Sequence, residues 1–425
     1  MNNTICPHPW THSYIGSHYE RKLCCLSLDI DEYKKTTTKE FWNSSFMKSV
    51  RLNMIKGEQI KECSACYAIE NSKIISLRQI LNNHYKDRIE KLLEDTKEDG
   101  SIDLLPEYFD YRTITCNLQC ISCGDIYSSK QFSLNKKIDP NYNRNAPNID
   151  KEFEKNMADE MIQAVREKRL KNIYWAGGEP MLSYVHWAVI DEMNLLYKDP
   201  EYKEYVSKIF MHYNTNYTQL YKNGQSIPKM LEKFQPSMQP SLDGTHETIE
   251  YTRDGCKWSV IENNWKEYHK YLNKNRQLGI ASILSGPVIL DIDRWFDFYE
   301  PYDPFLHNHK YLCEPDHYPK LSQGLLDVRL FPKHIFDRVV GHAIERFEKT
   351  DLRNAIASIS ILKSYIVERS EKLHIFDNEE LLIRVKHNAM FRDKYLISKR
   401  PLEEILKIID KEAYEWYKNI PITED

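Results

Sequence analysis

Short apolar runs alternate with amphipathic stretches through the middle of the chain. Six runs rich in β-branched or aromatic residues predict strands at 109–114, 172–175, 208–213, 237–242, 279–284 and 309–313. The stretches between them have helical spacing, and in residues 152–168 the apolar side chains that share one face are Phe153, Met157, Met161, Ile162 and Val165. This repeated alternation predicts an α/β fold in which a parallel sheet closes, fully or in part, as a partial (β/α)6 barrel.

The pattern differs on either side of this barrel, and we predict three domains. Residues 1–100 carry their own group of cysteines, residues 101–325 form the barrel, and residues 326–425 are helical. The helical extension is expected to cap the barrel or to form a lid over a substrate.

Composition narrows the class of protein. The 425 residues are 41% hydrophobic and 29% charged, and no apolar run approaches the roughly 18 residues needed to span a bilayer. The start, MNNTICPHPW, lacks the layout of a signal peptide, so we expect a cytoplasmic protein. The net charge is −4 and basic and acidic residues are interspersed, so no basic tract indicates a nucleic-acid surface, and only a local basic groove stays open as an alternative. In a reducing compartment the ten cysteines are expected to be ligands or buried thiols.

Three cysteines follow the first predicted strand. Cys116, Cys120 and Cys123 have the spacing C-x3-C-x2-C. Chemistry in a β/α barrel lies at the carboxyl ends of the strands, so these thiols are expected at the barrel mouth. Three thiolates can hold three irons of a [4Fe-4S] cube and leave the fourth iron open to a substrate or cofactor. The alternatives are a zinc site with its fourth ligand elsewhere, or buried cysteines.

The second predicted strand ends in a glycine-rich turn. Gly177, Gly178, Glu179 and Pro180 follow it in the sequence YWAGGEPML. The two glycines let a ligand approach the backbone closely, and the glutamate can accept hydrogen bonds from an ammonium group. Such a turn is a weak signal by itself, but it becomes specific together with the cysteine spacing one strand earlier.

Together, the two motifs resemble the radical S-adenosylmethionine (radical SAM) superfamily. The resemblance implies that Cys116, Cys120 and Cys123 hold the cluster, and that the amino and carboxylate groups of SAM chelate its open iron. It also implies reductive cleavage of SAM to a 5′-deoxyadenosyl radical, which abstracts a hydrogen atom from the substrate.

The resemblance continues after the later strands. It implies SAM contacts at Thr215, Asn216, Ser241, Asp243 and Arg253. The alternative for the first two is a simple turn, and the alternative for Arg253 is an exposed structural arginine.

A second group of cysteines lies near the start of the chain, at Cys6, Cys24, Cys25, Cys63 and Cys66. Four thiolates, one of them from the adjacent pair, would form a closed site that binds no substrate at the metal. The spacing alone fits zinc nearly as well as iron.

The residues around this second group resemble the SPASM/twitch domains of radical SAM enzymes. The shared layout is C-x-x-P-W, C-C, F-W-N-S, R, G-E and C-x-x-C in that order, and the CGDIYSSK segment at 123–130 is typical of twitch-domain members. The resemblance implies one auxiliary [4Fe-4S] cluster, in a domain that here precedes the barrel. Counting from the preceding turn favours Cys24 over Cys25 as the ligand.

A few further residues are candidates of lower specificity. Cys256 and Cys313 are predicted to be buried thiols. His212, Tyr213 and His317 lie near the predicted barrel mouth, where they are candidates for proton or hydrogen donation, although a structural role is the simpler interpretation.

These features predict a radical SAM enzyme that performs a net oxidation or bond formation. The predicted substrate is a peptide or protein side chain or a small metabolite, and the other partners are SAM and an electron donor such as flavodoxin or ferredoxin. Two alternatives stay open. One is a catalytically inactive iron-sulfur binding or electron-transfer module of the same fold, and the other is a radical SAM enzyme that modifies nucleic acid.

Overall fold

The computed structural model describes residues 4–142, 149–234, 236–272, 278–310 and 327–422. The chain divides into two compact units. The first unit comprises Met1–Cys116, Arg144–Asn214 and Lys233–Pro236, and the second comprises Asn117–Asn143, Thr215–Glu232 and Ser237–Asp425. None of the helices in the described ranges combines the length and the apolar character that a membrane crossing requires.

The ten strands are β1 (His12–Ile15), β2 (Arg21–Lys22), β3 (Tyr108–Thr113), β4 (Asn172–Gly177), β5 (Phe210–Thr215), β6 (Tyr221–Lys222), β7 (Gln225–Ser226), β8 (Ser237–Pro240), β9 (Gly279–Leu284) and β10 (Phe305–Lys310), within the described residues.

The α-helices of the same ranges are α1 (His8–Thr11), α2 (Thr38–Trp42), α3 (Ser45–Lys56), α4 (Ser64–Asn71), α5 (Leu77–His84), α6 (Ile89–Glu94), α7 (Ser129–Ile138), α8 (Lys151–Arg166), α9 (Tyr184–Leu196), α10 (Pro200–Ser207), α11 (Ile227–Leu231), α12 (His246–Thr252), α13 (Trp258–Leu272), α14 (Gly286–Leu290), α15 (Ile292–Tyr299), α16 (Lys333–Lys349), α17 (Ala355–Glu371), α18 (Leu373–Phe376), α19 (Glu379–Asp393), α20 (Leu402–Ile409) and α21 (Lys411–Asn419).

A sheet with the strand order β2-β1-β3-β4-β5 organises the first unit. Strands β1, β3, β4 and β5 are parallel, and β2 is antiparallel to β1. Strand β1 pairs with β3 from His12 opposite Tyr108, so the N-terminal segment belongs to the same sheet as the strands that follow it. The sequence pattern did not predict β1, because HSYI is too short to show a clear period.

The two faces of this sheet differ in chemistry. Tyr111 on β3 and Trp175 on β4 are buried on the face that α8 and α9 cover, and their rings meet edge to face at 6.1 Å. The opposite face carries Asp110, whose Oδ1 accepts a 3.1 Å hydrogen bond from Nε of Arg112. Successive side chains on a strand point to opposite faces of the sheet, so a sheet with one polar face has polar residues at every second position.

Helix α8 agrees with its sequence pattern. Asp150 caps it by accepting a hydrogen bond from the backbone N–H of Phe153, and Met157, Met161 and Val165 are buried along one face. The buried face confirms the prediction of an amphipathic helix. The cap stabilises the helix start, because it satisfies one of the N–H groups that have no partner within the helix.

In the second unit, β9 and β10 are parallel, with Phe305 opposite Gly279. Strand β8 approaches β9 through the bridge between Met238 and Leu278. The predicted strand at 309–313 was wrong in its start, since β10 begins at Phe305; residues 311–313 lie outside the described ranges. The hydrogen-bond ladder with β9 sets this boundary, and a sequence pattern does not contain that information.

Helices fill the rest of the second unit after residue 327, in agreement with the apolar spacing there. Helix α17 packs on the short sheet: the hydroxyl of Tyr365 donates a 2.9 Å hydrogen bond to the carbonyl of Leu284, and Nδ2 of Asn308 donates one of 2.9 Å to Ser358. The fold is therefore mixed α/β with parallel strands. The closure of a barrel and the three domain boundaries stay predictions.

Candidate metal and cofactor sites

The glycine-rich turn lies at the carboxyl end of β4, against the backbone that follows β3. Gly177 has φ +96, where a side chain is strained, and an added Cβ would lie 2.2 Å from the carbonyl oxygen of Thr113. A Cβ on Gly178 would lie 2.3 Å from the carbonyl oxygen of Thr115. These close contacts are a structural reason for glycine at both positions. They add to the reason inferred from the sequence, which is that a ligand could come close to the backbone here.

Hydrogen bonds fix this turn in place. The backbone N–H of Gly178 donates to the carbonyl of Thr113 at 2.6 Å, and that of Glu179 donates to the carbonyl of Thr115 at 2.8 Å. The side chain of Glu179 is fully buried and accepts a 3.0 Å hydrogen bond from the N–H of Met181. Thr115 immediately precedes Cys116, so the turn is anchored to the start of the cysteine loop.

The three cysteines of the loop cross the boundary between the units. Cys116 ends a segment of the first unit, whereas Cys120 and Cys123 belong to the second. Cys120 is buried, and the other two are partly exposed.

In the second unit, the loop is bound to the segment that follows α12. The N–H of Gln119 donates to the carbonyl of Asp254 at 3.0 Å, and that of Ile121 donates to the carbonyl of Thr252 at 2.9 Å. The carboxylate of Asp254 is fully buried. It accepts a 2.6 Å hydrogen bond from the side-chain amide of Gln119 and a 2.8 Å hydrogen bond from the backbone N–H of Ile397. We did not identify Asp254 from the sequence, where only its neighbour Arg253 matched a pattern.

Arg253 is directed at the cysteine loop. Its Nη2 lies 2.8 Å from Oδ2 of Asp243, and its Nη1 donates to Sγ of Cys120 at 3.8 Å. Asp243 is itself held by the N–H of Ile283 at 2.7 Å. Burial opposes the charge on Arg253, but Asp243 and the nearby thiols outweigh burial, and the pKa of Arg253 is raised. A cation beside a cysteine favours the thiolate form, which is the form that binds metals.

Of the further predicted residues, Asn216 contacts this loop and Ser241 pairs with the end of β5. Nδ2 of Asn216 donates a 2.8 Å hydrogen bond to Oδ1 of Asn117, the residue after Cys116. The N–H of Ser241 donates to the carbonyl of Thr215 at 2.8 Å. The second unit therefore brings the ends of β5 and β8 together with the cysteine loop.

The N-terminal cysteines surround a cavity in the first unit. It encloses about 390 Å³ of empty space, including the part that opens to solvent. Its chemically active lining residues are Cys6, Cys24, Cys63, Cys66, His8 and Arg78, and most of the others are apolar. Cys25 does not line this cavity. Burial and the negative charge of Asp110 raise the pKa of its thiol, and the positive charge of Arg112 opposes that rise.

Three of the cavity thiols, those of Cys6, Cys24 and Cys63, resist ionisation in the protein alone. Burial raises the pKa of Cys24 and of Cys63 to about 12, and it raises the pKa of Cys6 well above its usual value. The neighbouring thiols add to each of these shifts, because several negative charges would be close together. A bound cationic group would remove this penalty, so the donor set fits a metal centre.

Arg78 carries positive charge at the wall of the same cavity. It is buried and paired with Glu70, and its Nη1 donates a 3.0 Å hydrogen bond to the carbonyl of Ile5. Among the described residues, no three His, Cys, Asp or Glu side chains are close enough together to form a site for a single metal ion.

The remaining candidates have structural surroundings. Cys256 is buried, its thiol donates to the carbonyl of Ile249 at 3.5 Å, and burial raises its pKa to about 12. The hydroxyl of Tyr213 lies 3.1 Å from Nε2 of His186 on the helix-covered face of the sheet, whereas His212 lies on the opposite face beside Tyr174. Cys313 and His317 lie outside the described residues.

No family model matches the chain, and no curated protein matches it. Among solved structures, the chain is similar to native anSMEcpe with bound AdoMet, at 16% identity and a TM-score of 0.40; the match covers 58% of this chain and 63% of that one. It is also similar to SuiB from Streptococcus suis bound to S-adenosylmethionine, at 14% identity and a TM-score of 0.36, over 80% of this chain and 70% of that one. Both likenesses are distant.

Proposed function

We propose that this chain is a radical SAM enzyme with one auxiliary iron-sulfur cluster. The observation that carries the proposal is the anchoring of the GGEP turn to the residues that directly precede Cys116, through the hydrogen bonds of Gly178 and Glu179. The turn and Cys116, the start of the cysteine loop, therefore follow adjacent parallel strands at the edge where α/β proteins bind their ligands.

Cys116, Cys120 and Cys123 would hold the first [4Fe-4S] cluster. Three thiolates leave one iron open for SAM. When bound there, the cluster and SAM supply a 5′-deoxyadenosyl radical for hydrogen abstraction. The chain contributes the loop geometry, which Asp254 fixes through Gln119 and Ile397.

The residues around the loop would bind and orient SAM. The backbone of Gly177–Pro180 and the carboxylate of Glu179 are suited to its amino group, and the guanidinium of Arg253 is suited to its carboxylate. Asp243 would position Arg253, to which it is already paired at 2.8 Å. Thr215, Asn216 and Ser241 are the further SAM contacts that we propose.

Cys6, Cys24, Cys63 and Cys66 would hold the auxiliary [4Fe-4S] cluster. Zinc bound at about 2.3 Å by four thiolates draws the sulfur atoms around one ion, whereas a cube needs room between them. The resemblance of the surrounding motif to SPASM/twitch domains supports the cluster over the single ion. The N-terminal part would then be a SPASM/twitch-like domain, and the helices after residue 326 would cap the barrel or form a lid.

An auxiliary cluster suits a reaction that removes electrons from its substrate. We therefore propose a net oxidation or bond formation on a peptide or protein side chain or on a small metabolite. The electron that starts the reaction would come from a donor such as flavodoxin or ferredoxin.

Anaerobic reconstitution of the full chain tests this proposal. Iron and sulfide are counted per chain, and 5′-deoxyadenosine is followed after addition of SAM and dithionite. We expect about eight irons and formation of 5′-deoxyadenosine. About four irons with one zinc would overturn the auxiliary cluster. A loaded first cluster without SAM cleavage would leave a binding or electron-transfer module in place of the enzyme.

A further inference from the structure

His8 lies in the wall of the four-cysteine cavity and has unsatisfied hydrogen-bonding capacity. It is 4% exposed, and neither of its ring nitrogens has a hydrogen-bond partner within the described part of the chain. Leaving a buried polar group unpaired is energetically costly, so such groups in native proteins are normally satisfied by a protein group, ligand, water or ion. The position of this ring therefore indicates an acceptor in the occupied cavity.

Ring contacts rather than hydrogen bonds hold His8 in place. Its ring stacks on His12 with centroids 4.2 Å apart, and it meets the ring of Tyr108 edge to face at 5.9 Å. His12 is fixed in turn, because its Nδ1 lies 3.1 Å from the carbonyl of Leu23. Stacking uses the face of the His8 ring and leaves the nitrogens on its edge available.

The protein groups beside the cavity offer little that could accept a hydrogen bond from His8. Arg78 has no acceptor atom and is engaged with Glu70 and the carbonyl of Ile5. The hydroxyl of Ser27 accepts from the N–H groups of Leu23 and Cys24. The sulfur atoms of the four-cysteine site are the acceptors that would be gained when the site is occupied.

We propose that His8 donates an N–H hydrogen bond to a sulfur atom of the iron-sulfur group held by Cys6, Cys24, Cys63 and Cys66, and that this bond raises the reduction potential of the group. An imidazole carries at least one N–H in either protonation state. The reduced cluster has one more negative charge and accepts a stronger hydrogen bond, so the bond stabilises the reduced form. This inference rests on the auxiliary cluster proposed above. His8 is a positioning and tuning residue and is not a ligand.

The test uses the full chain with Cys116, Cys120 and Cys123 replaced by alanine, so that only the auxiliary cluster remains. After reconstitution, its midpoint potential is measured by a redox titration that is followed by electron paramagnetic resonance. In this background we expect His8→Phe to keep the iron and to lower the potential by about 59 mV, which is a tenfold change in the equilibrium for one electron. His12→Phe is the matched control, because it replaces a buried ring that stacks on His8 but does not line the cavity. It should leave the potential unchanged.

A second measurement does not depend on the folding of a variant. Pulsed electron paramagnetic resonance of the reduced cluster, with unlabelled and then with ¹⁵N-labelled histidine, should detect a weak histidine nitrogen coupling that is absent in His8→Phe. Full iron without this coupling and without a potential shift would overturn the role of His8 and leave the cluster intact. A strong coupling, or loss of iron in His8→Phe alone, would make His8 a ligand and overturn the donor role. Zinc instead of iron in the cavity would overturn the cluster proposal, and this inference with it.

Discussion

Cys120 lies beside a partly buried guanidinium in a loop bound by polar contacts, whereas the N-terminal cysteines surround a cavity with a largely apolar wall. The loop has partly exposed thiols at Cys116 and Cys123, and it is anchored through backbone groups and Asp254. The cavity is instead built from side-chain packing around Trp10, Trp42 and neighbouring residues of the N-terminal core.

The difference is consistent with the two roles proposed above for the thiols of this chain. A site that must accept a second ligand needs exposure and a fixed charge that orients that ligand. A site that only holds and transfers electrons is better buried, because burial controls the reduction potential. The surroundings of the two cysteine groups are consistent with this proposed division, and four experiments test it.

The largest effect is expected from Cys120→Ala. Removal of one loop thiolate should abolish 5′-deoxyadenosine formation and should lower the iron content from about eight to about four per chain. Cys256→Ala is the control, because Cys256 is a buried thiol in the same unit that belongs to neither group. It should keep the iron and activity, at a stability cost of about 1 kcal/mol. Residual SAM cleavage in Cys120→Ala would contradict the role of the loop.

The adjacent cysteines provide a matched pair for the cavity. Cys24→Ser should lose about four irons while retaining the loop cluster, because Cys24 lines the cavity. Cys25→Ser should keep all of the iron, because Cys25 does not line the cavity. Iron analysis and the electron paramagnetic resonance spectrum measure both variants. The reverse pattern would show that the cavity is not the metal site.

A smaller effect is expected from Arg253→Gln. The loss of its charge should weaken SAM binding to the cluster-loaded protein by roughly tenfold or more, without changing the iron content. Arg400→Gln is the control, since Arg400 is a partly exposed arginine that pairs with Glu247 and Glu250. Calorimetric titration with SAM gives both affinities. Equal affinity for the two variants would remove Arg253 from the proposed site.

The smallest effect is expected from Gly178→Ala, which disturbs the close contact between the GGEP turn and the backbone before Cys116. Gly178→Ala should lower the Tm, because its Cβ would lie 2.3 Å from the carbonyl oxygen of Thr115; overpacking of this kind costs about 1–3 kcal/mol. Gly341→Ala should raise the Tm slightly, because Gly341 lies within α16 with nothing within 4 Å of an added Cβ. Scanning calorimetry compares the two. A Gly178 variant as stable as the original chain would show that this close approach is not required.

The strands β3, β4 and β9 could be predicted to within one or two residues of their ends, because their apolar runs are flanked by turn residues. Strand β1 could not be predicted, since four residues with polar neighbours become a strand only when β3 offers a pairing edge. The start of β10 at Phe305 could not be predicted either, because it depends on the pairing of Phe305 with Gly279 on β9.

The available chemistry could be inferred from the sequence: the spacing of Cys116, Cys120 and Cys123, the GGEP turn after a strand, and a second group of thiols. These are local features, and they are visible within a few residues of the chain. Which side chains come into contact depends on the tertiary structure. It placed Arg253 against Cys120, 133 residues away, and it directed Cys24 but not its neighbour Cys25 into the cavity that His8 also lines. The physical reason is that burial and distance depend on packing between segments far apart in sequence, and no spacing rule along one chain contains that packing.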